Sequence, residues 1–358
     1  MRVALVGPPQ SGKSTLFAAV AEAGGSHVDL SRPDQPHLAV VKVPDERLEW
    51  LTAQYKPRKH TLAELEFLDL PGLDLSDEAG RTRSRVHWAA MRQSDMLVFV
   101  LRAFAAAAVG AYRGRVDASA DAEELLAEMI FADLDQVTAR VGKLEAAIRK
   151  PTSAALREEQ KNELDLMKRL AAALEKGEPI SSAAHGEAQA KSLRPFAFLS
   201  QKPALVVLNR SEDETAAPAP EKLAGLPCLA LSAKIEEELA RLAPAERAEF
   251  LADLGIASPA RDRLIRACYA RMGLVSFFTV GDPDCHAWTV PAGTDAVTAA
   301  GEIHSDIARG FIRAETVSYD DLKAAGDMKA AKAAGKVRLE GKAYVVRDGD
   351  VILFRFNV

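Results

Sequence analysis

The segment from Gly7 to Ser14 reads Gly-Pro-Pro-Gln-Ser-Gly-Lys-Ser, and it constrains the fold of this chain more than any other feature. It follows a short strand-like run, Arg2 to Val6, and it opens a helical pattern that continues to Ala23. A Gly-x-x-x-x-Gly-Lys-Ser spacing between a strand and a helix is the context of a phosphate-binding loop. The segment therefore predicts binding of a nucleoside triphosphate, with a fortuitous glycine-rich turn as the alternative.

The residue types within this loop suit the chemistry of phosphate binding. Gly7 and Gly12 allow backbone amides to turn inward around phosphate oxygens, and the helix N-terminus adds a partial positive charge. Lys13 is expected to reach the β- and γ-phosphates and to act in catalysis, and the Ser14 hydroxyl is expected to ligate Mg²⁺. The predicted nucleotide contacts in this loop are Pro9, Gln10, Ser11, Gly12, Lys13, Ser14 and Thr15.

The second motif, Asp69-Leu70-Pro71-Gly72, comes at the end of an alternating, strand-like run that begins at Glu64. The Asp69 carboxylate can meet the magnesium ion directly or through water, and the Gly72 amide can face the γ-phosphate. Alone, Asp-x-x-Gly is usually a plain turn. After a phosphate-binding loop, it predicts Asp69 as a metal ligand beside Ser14, and Asp69 and Gly72 as catalytic residues together with Lys13.

A third motif, Asn209-Arg210-Ser211-Glu212, follows the apolar run Ala204 to Leu208. GTP-binding relatives carry Asn-Lys-x-Asp at this place, and the aspartate pairs with the two N–H donors of guanine. Here Glu212 is one methylene longer. Because a bidentate base contact gives about 1–3 kcal/mol of discrimination, this change can relax or reverse the base preference. The predicted contacts on the base side are Asn209, Arg210, Glu212, Ser232 and Ala233.

The order of the predicted elements indicates an α/β protein with an insertion. Strand-like runs alternate with helices up to residue 117 and resume at Ala204, which favours a parallel sheet covered on both faces. Between them, residues 121–176 carry apolar side chains at helical spacing, interrupted at Pro151. An antiparallel helical hairpin is therefore predicted between two parts of the sheet.

The part of the chain after Val275 has a different character, with short β-like runs and few long helical patterns. Asp348-Gly349 predicts a tight hairpin between strands at 343–346 and 351–354. A small α+β domain is the simplest interpretation. The predicted domains are a nucleotide-binding domain over residues 1–117 and 195–274, an inserted helical hairpin over 118–194, and a C-terminal domain over 275–358.

Charge and cysteine content narrow the environment and the partners. A net charge of -5 gives no global basic field toward nucleic acid or anionic lipid, so RNA contact requires a local patch, and sequence-specific DNA binding is not expected. No apolar run approaches the roughly 20 residues that span a bilayer, so no membrane association is expected. The three cysteines lack metal-ligand spacing and fit a reducing cytosol. We expect a cytoplasmic monomer.

Taken together, these motifs resemble those of the YchF/Obg-like ATPases, a family of translation-factor-class P-loop NTPases, over nearly the whole chain. The resemblance implies a P-loop nucleotide-binding domain, an inserted helical hairpin and a C-terminal TGS domain of β-grasp form. It also implies ATP over GTP, Mg²⁺, slow hydrolysis, and association with ribosomes or structured RNA. The segments that carry the resemblance are Gly7 to Phe17, Val43 to Leu48, Asn209 to Glu212, Ala287 to Gly293, His304 to Thr316 and Asp348 to Val358.

The departures from the family lie in the two switches. Pro33 falls where the family places a magnesium-ligating threonine, and Ser31 or Asp34 could substitute only if the loop shifts. The second switch is shortened to the segment Asp74 to Arg85. Leu73 stands where Ras-like proteins place a water-orienting glutamine. Because leucine cannot hold the attacking water, turnover is expected to be near the unassisted Ras-like rate of about 10⁻⁴–10⁻³ per second.

Three functional hypotheses follow. The first is a slowly hydrolysing regulatory ATPase that acts on ribosomes. The second is a GTPase in which Glu212 anchors guanine. The third, motivated by Pro33 and the shortened second switch, is a degenerate module that binds nucleotide without useful turnover.

Other charged side chains offer further candidates for catalysis and for RNA binding. An arginine of the second switch could act as an arginine finger, although a solvated face is favoured. A histidine near the switches could act as a base, although packing or surface roles are commoner. Two basic clusters, Lys56 to His60 and the lysines and arginine between Lys323 and Lys342, are candidate RNA contacts. The arginines are Arg81, Arg83 and Arg85, and the histidines are His27, His37 and His60.

Overall fold

Two β-sheets form the framework of the described part of the chain, which in this computed structural model comprises residues 1–23, 28–106, 109–183, 186, 189, 192–214, 218–253, 256 and 258–357. The strands are β1 (Arg2–Val6), β2 (His37–Lys42), β3 (Lys59–Thr61), β4 (Glu64–Asp69), β5 (Met96–Arg102), β6 (Ala204–Asn209), β7 (Lys222–Leu223), β8 (Leu226–Leu231), β9 (Leu274–Val280), β10 (Asp284–Pro291), β11 (Phe311–Ser318), β12 (Arg338–Glu340) and β13 (Asp350–Phe356). The helices are α1 (Lys13–Ala23), α2 (Glu46–Tyr55), α3 (Glu78–Arg85), α4 (Trp88–Gln93), α5 (Ala118–Ile148), α6 (Ala154–Glu175), α7 (Ile180–Ala183), α8 (Ala233–Arg241), α9 (Pro244–Asp253), α10 (Ala260–Arg271), α11 (Ala296–Ile303), α12 (Ser305–Arg309), α13 (Tyr319–Ala325) and α14 (Met328–Ala333).

The first sheet has the strand order β2-β4-β1-β5-β6-β8-β7. Its middle strands, from β4 to β8, are parallel, and only β2 and β7 at its ends pair antiparallel. The runs Val3–Val6 and Met96–Leu101 are fully buried, because helices cover both faces of the sheet. The predicted α/β fold class is confirmed. Since β1, β4, β6 and β8 are parallel, the loops after their carboxyl ends meet at one edge, where α/β sheets bind ligands.

Helices α5 and α6 pack side by side through buried apolar side chains such as Val137 and Met167, and Arg140 donates to Glu163 across the pair at 2.7 Å. The N-terminal half of α5 packs against the first sheet through Leu125 and Met129. The hairpin is therefore attached to the first sheet along part of its first helix. None of the described helices is long and apolar enough to cross a membrane.

The second sheet has the order β12-β11-β13-β9-β10-β3, and most of it comes from the C-terminal part of the chain. Helix α11 packs on it over a core that includes Phe277 and Phe354. Its edge strand β3 instead comes from the N-terminal half, and it pairs parallel with β10 from Lys59↔Asp284 to Thr61↔His286. The second sheet is thus completed by a strand that lies between β2 and β4 of the first sheet along the chain.

The hairpin predicted at Asp348-Gly349 is wrong. Residues 343–346 contribute only an isolated bridge between Val345 and Asp295. The turn instead docks on β9, because the Ser276 amide donates to Asp348 Oδ1 and the Gly349 amide donates to the Ser276 carbonyl, both at 2.8 Å. Strand β13 then runs between β11 and β9 and does not fold back on the preceding residues.

Candidate nucleotide-binding site

The backbone of the phosphate-binding loop is packed too closely for side chains at its two glycines. A Cβ atom at Gly7 would lie 2.3 Å from the Val100 carbonyl oxygen, and one at Gly12 would lie 2.1 Å from Asn209 Nδ2. Gly12 also has φ +89°, a conformation that side chains disfavour. Between them, Gln10 has φ +59°, so the loop turns sharply between β1 and α1. The loop follows β1 and precedes α1, as the spacing predicts.

Lys13 is held inside the site with little to balance its charge. Its side chain is buried, and among the described residues Nζ donates only to the Pro8 carbonyl, at 3.3 Å. Burial lowers the pKa of Lys13 to about 8, and the charge of Asp69 opposes this shift only in part. A buried ammonium group with an incomplete set of acceptors is suited to binding phosphate oxygens.

Ser14 and Asp69, the two residues that the sequence predicts as magnesium ligands, lie within hydrogen-bonding distance of each other. Ser14 Oγ donates to Asp69 Oδ2 at 2.7 Å, while the buried Asp69 Oδ1 has no hydrogen-bond partner in the part of the chain that the structure describes. Burial raises the pKa of Asp69, against the hydrogen bond from Ser14 and the charge of Lys13. A cation next to this carboxylate would supply the missing partner, so the two residues fit Mg²⁺.

The fit to magnesium also agrees with what the rest of the site offers. Among the described residues, no group of three or more histidine, cysteine, aspartate or glutamate side chains could hold a metal ion on its own. Mg²⁺ commonly takes one or two protein oxygens and completes its shell with substrate phosphates and water. Ser14 and Asp69 are sufficient protein ligands for a site of that kind.

The Gly72 segment lies against the phosphate-binding loop. A Cβ atom at Gly72 would be 2.8 Å from Pro9 Cα, and the Leu73 amide donates to the Gly7 carbonyl at 3.0 Å. Leu73 itself is fully buried, in a cluster with Leu70 and Leu75. Its side chain therefore packs into the protein and does not face a water molecule at the phosphates.

Asn209 joins two loops of the site. Its Nδ2 donates to the Ser11 carbonyl and its Oδ1 accepts from the Ala233 amide, both at 2.9 Å. Ser232 caps helix α8 by accepting from the Ile235 amide. The strand-end motif and the predicted base-side loop are thus brought together beside the phosphate-binding loop.

The remaining base-motif residues have protein partners of their own. Glu212 Oε2 accepts from Lys234 Nζ at 2.8 Å, and both side chains are largely exposed. The Arg210 guanidinium donates to the Pro218 carbonyl at 3.0 Å, so it lies along the following loop. The Glu212 carboxylate therefore already has a cationic partner within the chain.

The weaker candidates are spread over a turn, a helix and two strands, and some of them already have protein partners. Pro33 lies in an exposed turn in which the Gln35 amide donates to the Arg32 carbonyl. Arg81 forms ion pairs with Glu124 and Glu128, Arg83 with Asp74, and Arg85 is exposed. His37 lies directly opposite Asp69 in the pairing of β2 with β4, and it packs near Phe17 with ring centroids 6.5 Å apart. His60 lies in the exposed strand β3, and His27 falls outside the described residues.

One histidine near the site was not predicted. His87 precedes α4 and is half-buried. Burial lowers the pKa of His87, and the charge of Lys13 acts in the same direction, which indicates that the two side chains are near each other. The sequence around His87 has no motif that would have identified it.

Two family profiles match most of the chain between them. Residues 2–130 match MMR_HSR1, described as a 50S ribosome-binding GTPase, and residues 274–357 match YchF-GTPase_C, described as a protein of unknown function (DUF933). The chain is 40% identical to the ribosome-binding ATPase YchF of Bacillus subtilis (strain 168), over 99% of this chain and 98% of the relative. It is 34% identical to Obg-like ATPase 1 of Oryza sativa subsp. japonica, over 100% of this chain and 92% of the relative.

Solved structures give the same result. The YchF GTPase of Schizosaccharomyces pombe superposes with a TM-score of 0.88 at 26% identity, over 99% of this chain and 97% of that one. A GTP binding protein from Pyrococcus horikoshii OT3 has a TM-score of 0.57 at 17% identity, over 100% of both chains, which is a similarity of fold alone.

Proposed function

This chain belongs to the YchF/Obg-like ATPase family, and on that basis we propose that it binds ATP with Mg²⁺, hydrolyses it slowly and acts on ribosomes. It is a P-loop NTPase. The observation that carries the proposal is the juxtaposition of buried Lys13 with Ser14 and with an Asp69 carboxylate, one oxygen of which has no partner among the described residues. A magnesium triphosphate would offer phosphate oxygens to the Lys13 ammonium and a cation to the oxygens of Ser14 and Asp69.

The proposed roles follow from this geometry. The amides around Gly12 and the N-terminus of α1 bind phosphate oxygens, and the Lys13 ammonium binds the β- and γ-phosphates. Ser14 and Asp69 hold Mg²⁺, which when bound neutralises charge on the phosphates. The Gly72 amide faces the γ-phosphate from the other side. Position 73, where Ras-like proteins place a water-orienting glutamine, carries a leucine whose side chain is buried. Because leucine cannot orient the attacking water, we expect turnover of about 10⁻⁴–10⁻³ per second.

The pairing of Glu212 with Lys234 supports adenine over guanine. Guanine would need both carboxylate oxygens as acceptors for its two N–H donors, so it would have to share Oε2 with Lys234 Nζ, which already donates to that oxygen at 2.8 Å. Adenine has no such pair of donors and leaves the ion pair intact. We therefore propose ATP as the preferred nucleotide, with Asn209 and Ala233 shaping the base side of the site.

Replacement of Glu212 by glutamine separates the two base preferences. We expect the wild-type protein to bind ATP more tightly than GTP, and Glu212→Gln to change the Kd for ATP by less than about threefold. If Glu212 instead anchors guanine, GTP binding should weaken by roughly 5- to 150-fold, since a bidentate base contact gives about 1–3 kcal/mol. Titration of both nucleotides against wild type, Glu212→Gln and the neighbouring exposed control Glu214→Gln distinguishes these results.

A binding module without turnover is the second candidate, because Pro33 has no hydroxyl for magnesium and lies in an exposed turn. Single-turnover hydrolysis with excess protein decides between the two. We expect slow product formation that Lys13→Ala abolishes. If wild type and Lys13→Ala both hydrolysed ATP only at the rate of ATP in buffer without protein, the protein would be a non-hydrolysing binding module.

We further propose that the protein is a cytoplasmic monomer that contacts ribosomal RNA through Lys56, Arg58 and Lys59. These side chains are exposed, and within the described residues none of them forms an ion pair. In the C-terminal cluster, by contrast, Lys332 is 3.9 Å from Glu315 and Lys336 is 3.0 Å from Asp321, so part of its charge is balanced. Unpaired exposed cations are better placed to release counterions from RNA phosphates.

The Lys56/Arg58/Lys59→Ala triple variant should bind ribosomes more weakly. In a pelleting assay over a salt series, we expect the slope of log K against log salt to become shallower by about 2–3, because three phosphate contacts are lost. A matched triple variant of exposed hairpin lysines, Lys143, Lys150 and Lys161, removes the same charge elsewhere. Equal slopes for the two triple variants would contradict a specific role for the first cluster.

A further inference from the structure

The backbone that follows Gly72 is held from one side by two consecutive side chains. The Leu75 amide donates to the Tyr112 hydroxyl at 2.9 Å, and Arg113 Nη2 donates to the Leu75 carbonyl at 2.7 Å. Both polar backbone groups of the buried residue Leu75 are therefore satisfied by the segment that precedes α5. Side chains seldom satisfy both backbone groups of one residue, because most backbone groups pair with other backbone groups.

The same two side chains are anchored on the helical hairpin. Arg113 donates to both carboxylate oxygens of Glu124 on α5, with Nε to Oε2 at 3.2 Å, and the Tyr112 hydroxyl donates to Oε2 at 3.4 Å. Arg81 of α3 adds an ion pair to Glu124 at 3.7 Å and one to Glu128 at 2.8 Å. Glu124 thus connects the hairpin with the second switch at two places.

The backbone at Arg113 indicates that this arrangement is maintained by its contacts. Arg113 has φ +53°, in the left-handed region that residues other than glycine, asparagine and aspartate seldom adopt. Such a conformation persists where the surroundings hold it. Here the holding contacts are those to Glu124 and Leu75.

A short path connects this anchor to the phosphates. Leu75 lies three residues after Gly72, which packs on Pro9, and two residues after Leu73, whose amide donates to the Gly7 carbonyl at 3.0 Å. Movement of Leu75 would therefore change where the Gly72 amide lies relative to the γ-phosphate position. The phosphate-binding loop itself is held separately, through Asn209.

We propose that Tyr112, Arg113 and Glu124 are positioning residues that hold the Gly72–Leu75 segment in its hydrolytic position, so that helix α5 of the hairpin controls turnover. The proposal rests on the proposed NTPase function. Loss of the contacts made by Tyr112, Arg113 and Glu124 should slow transfer of the γ-phosphate. Nucleotide affinity should not change, because it depends on Lys13 and the phosphate-binding loop. The variants should consequently lower kcat and leave KM unchanged.

Steady-state hydrolysis by Tyr112→Phe and Glu124→Gln tests this inference. We expect kcat to fall about tenfold in each, with KM for ATP within twofold of wild type, and the double variant to be no slower than the worse single variant. Arg113→Lys should retain more activity than Arg113→Ala, because it keeps a cation near Glu124. The control is Glu123→Gln, which removes an adjacent exposed carboxylate.

Hydrogen exchange provides a readout that does not depend on activity. Peptides covering residues 70–76 should exchange at least tenfold faster in Tyr112→Phe than in wild type, and peptides of the phosphate-binding loop should not change. Unchanged kcat and unchanged exchange in a wild type that hydrolyses ATP would overturn the inference and leave the NTPase function standing. If wild type shows no Lys13-dependent hydrolysis, the NTPase proposal fails, and the exchange result alone decides whether the anchor exists.

Discussion

Gly12→Ala is expected to abolish nucleotide binding and to destabilise the protein. The added Cβ would lie 2.1 Å from Asn209 Nδ2, and φ is +89°. Asn209 would have to leave a buried position in which it makes two hydrogen bonds, to Ser11 and Ala233. Backbone strain of about 1–2 kcal/mol and two buried polar groups left unpaired at about 1–3 kcal/mol each give a loss of roughly 3–8 kcal/mol. Urea denaturation measures this loss, and nucleotide titration should show affinity lower by at least about 100-fold.

The matched control for this variant is Gly326→Ala. Gly326 also has φ +89°, but a Cβ atom there meets nothing within 4 Å. The control therefore carries the backbone strain without the clash, and it should cost only about 1–2 kcal/mol. If the two variants were equally stable and both bound nucleotide, the close packing of Gly12 on Asn209 would have no energetic consequence.

Nucleotide affinity should depend on pH through Lys13. Burial lowers the pKa of this side chain from 10.5 to about 8 in the nucleotide-free protein, so a growing fraction is neutral above pH 8. Phosphate oxygens favour the charged form, so binding takes up a proton there. The Kd for the magnesium nucleotide should rise by up to about tenfold per pH unit above pH 8 and stay flat between pH 6.5 and 7.5. Titration with a fluorescent nucleotide measures this dependence.

As the pH rises above 8, the free energy of unfolding of the nucleotide-free protein should increase, whereas nucleotide affinity should decrease. Since the folded pKa of Lys13 lies below the unfolded value of 10.5, the unfolded chain binds more protons between about pH 8 and 10.5. The free energy of unfolding of the nucleotide-free protein should therefore gain up to roughly 3 kcal/mol over that range from this residue. Lys13→Ala should lose both effects and bind nucleotide at least about 100-fold more weakly at pH 7. An unchanged pH dependence in Lys13→Ala would assign the titration to another group.

The sequence predicts those parts of the site whose residues lie within a few positions of the end of a strand. The phosphate-binding loop, Asp69 and Asn209 each come at the carboxyl end of a strand-like run, and parallel strands bring such ends to one edge. The contacts of Asn209 with Ser11 and Ala233 span 198 and 24 residues, and only the folded sheet brings these positions together.

Other features have no local signal. Glu124, Tyr112 and Leu75 meet because α5 packs on the first sheet, and nothing in their spacing indicates an anchor for the second switch. Residues 343–346 have high β-propensity, yet the docking of Asp348 and Gly349 on Ser276 places them outside the sheet, so tertiary contacts override propensity. The joining of β3 to the second sheet is likewise a long-range pairing that a short, charged segment does not predict.

The pairing of β3 with β10 affects when the second sheet can be completed during synthesis. Thr61 contacts Asp284 across 223 residues, so during synthesis β3 emerges long before its partner strand exists. The second sheet receives its final edge only when both ends of the chain are available, and the nucleotide-binding domain then covers that edge. A fragment beginning at Leu274 would lack β3 and expose the unpaired backbone of Asp284, Cys285 and His286. Bare strand edges recruit further strands, so such a fragment should self-associate where the whole chain does not.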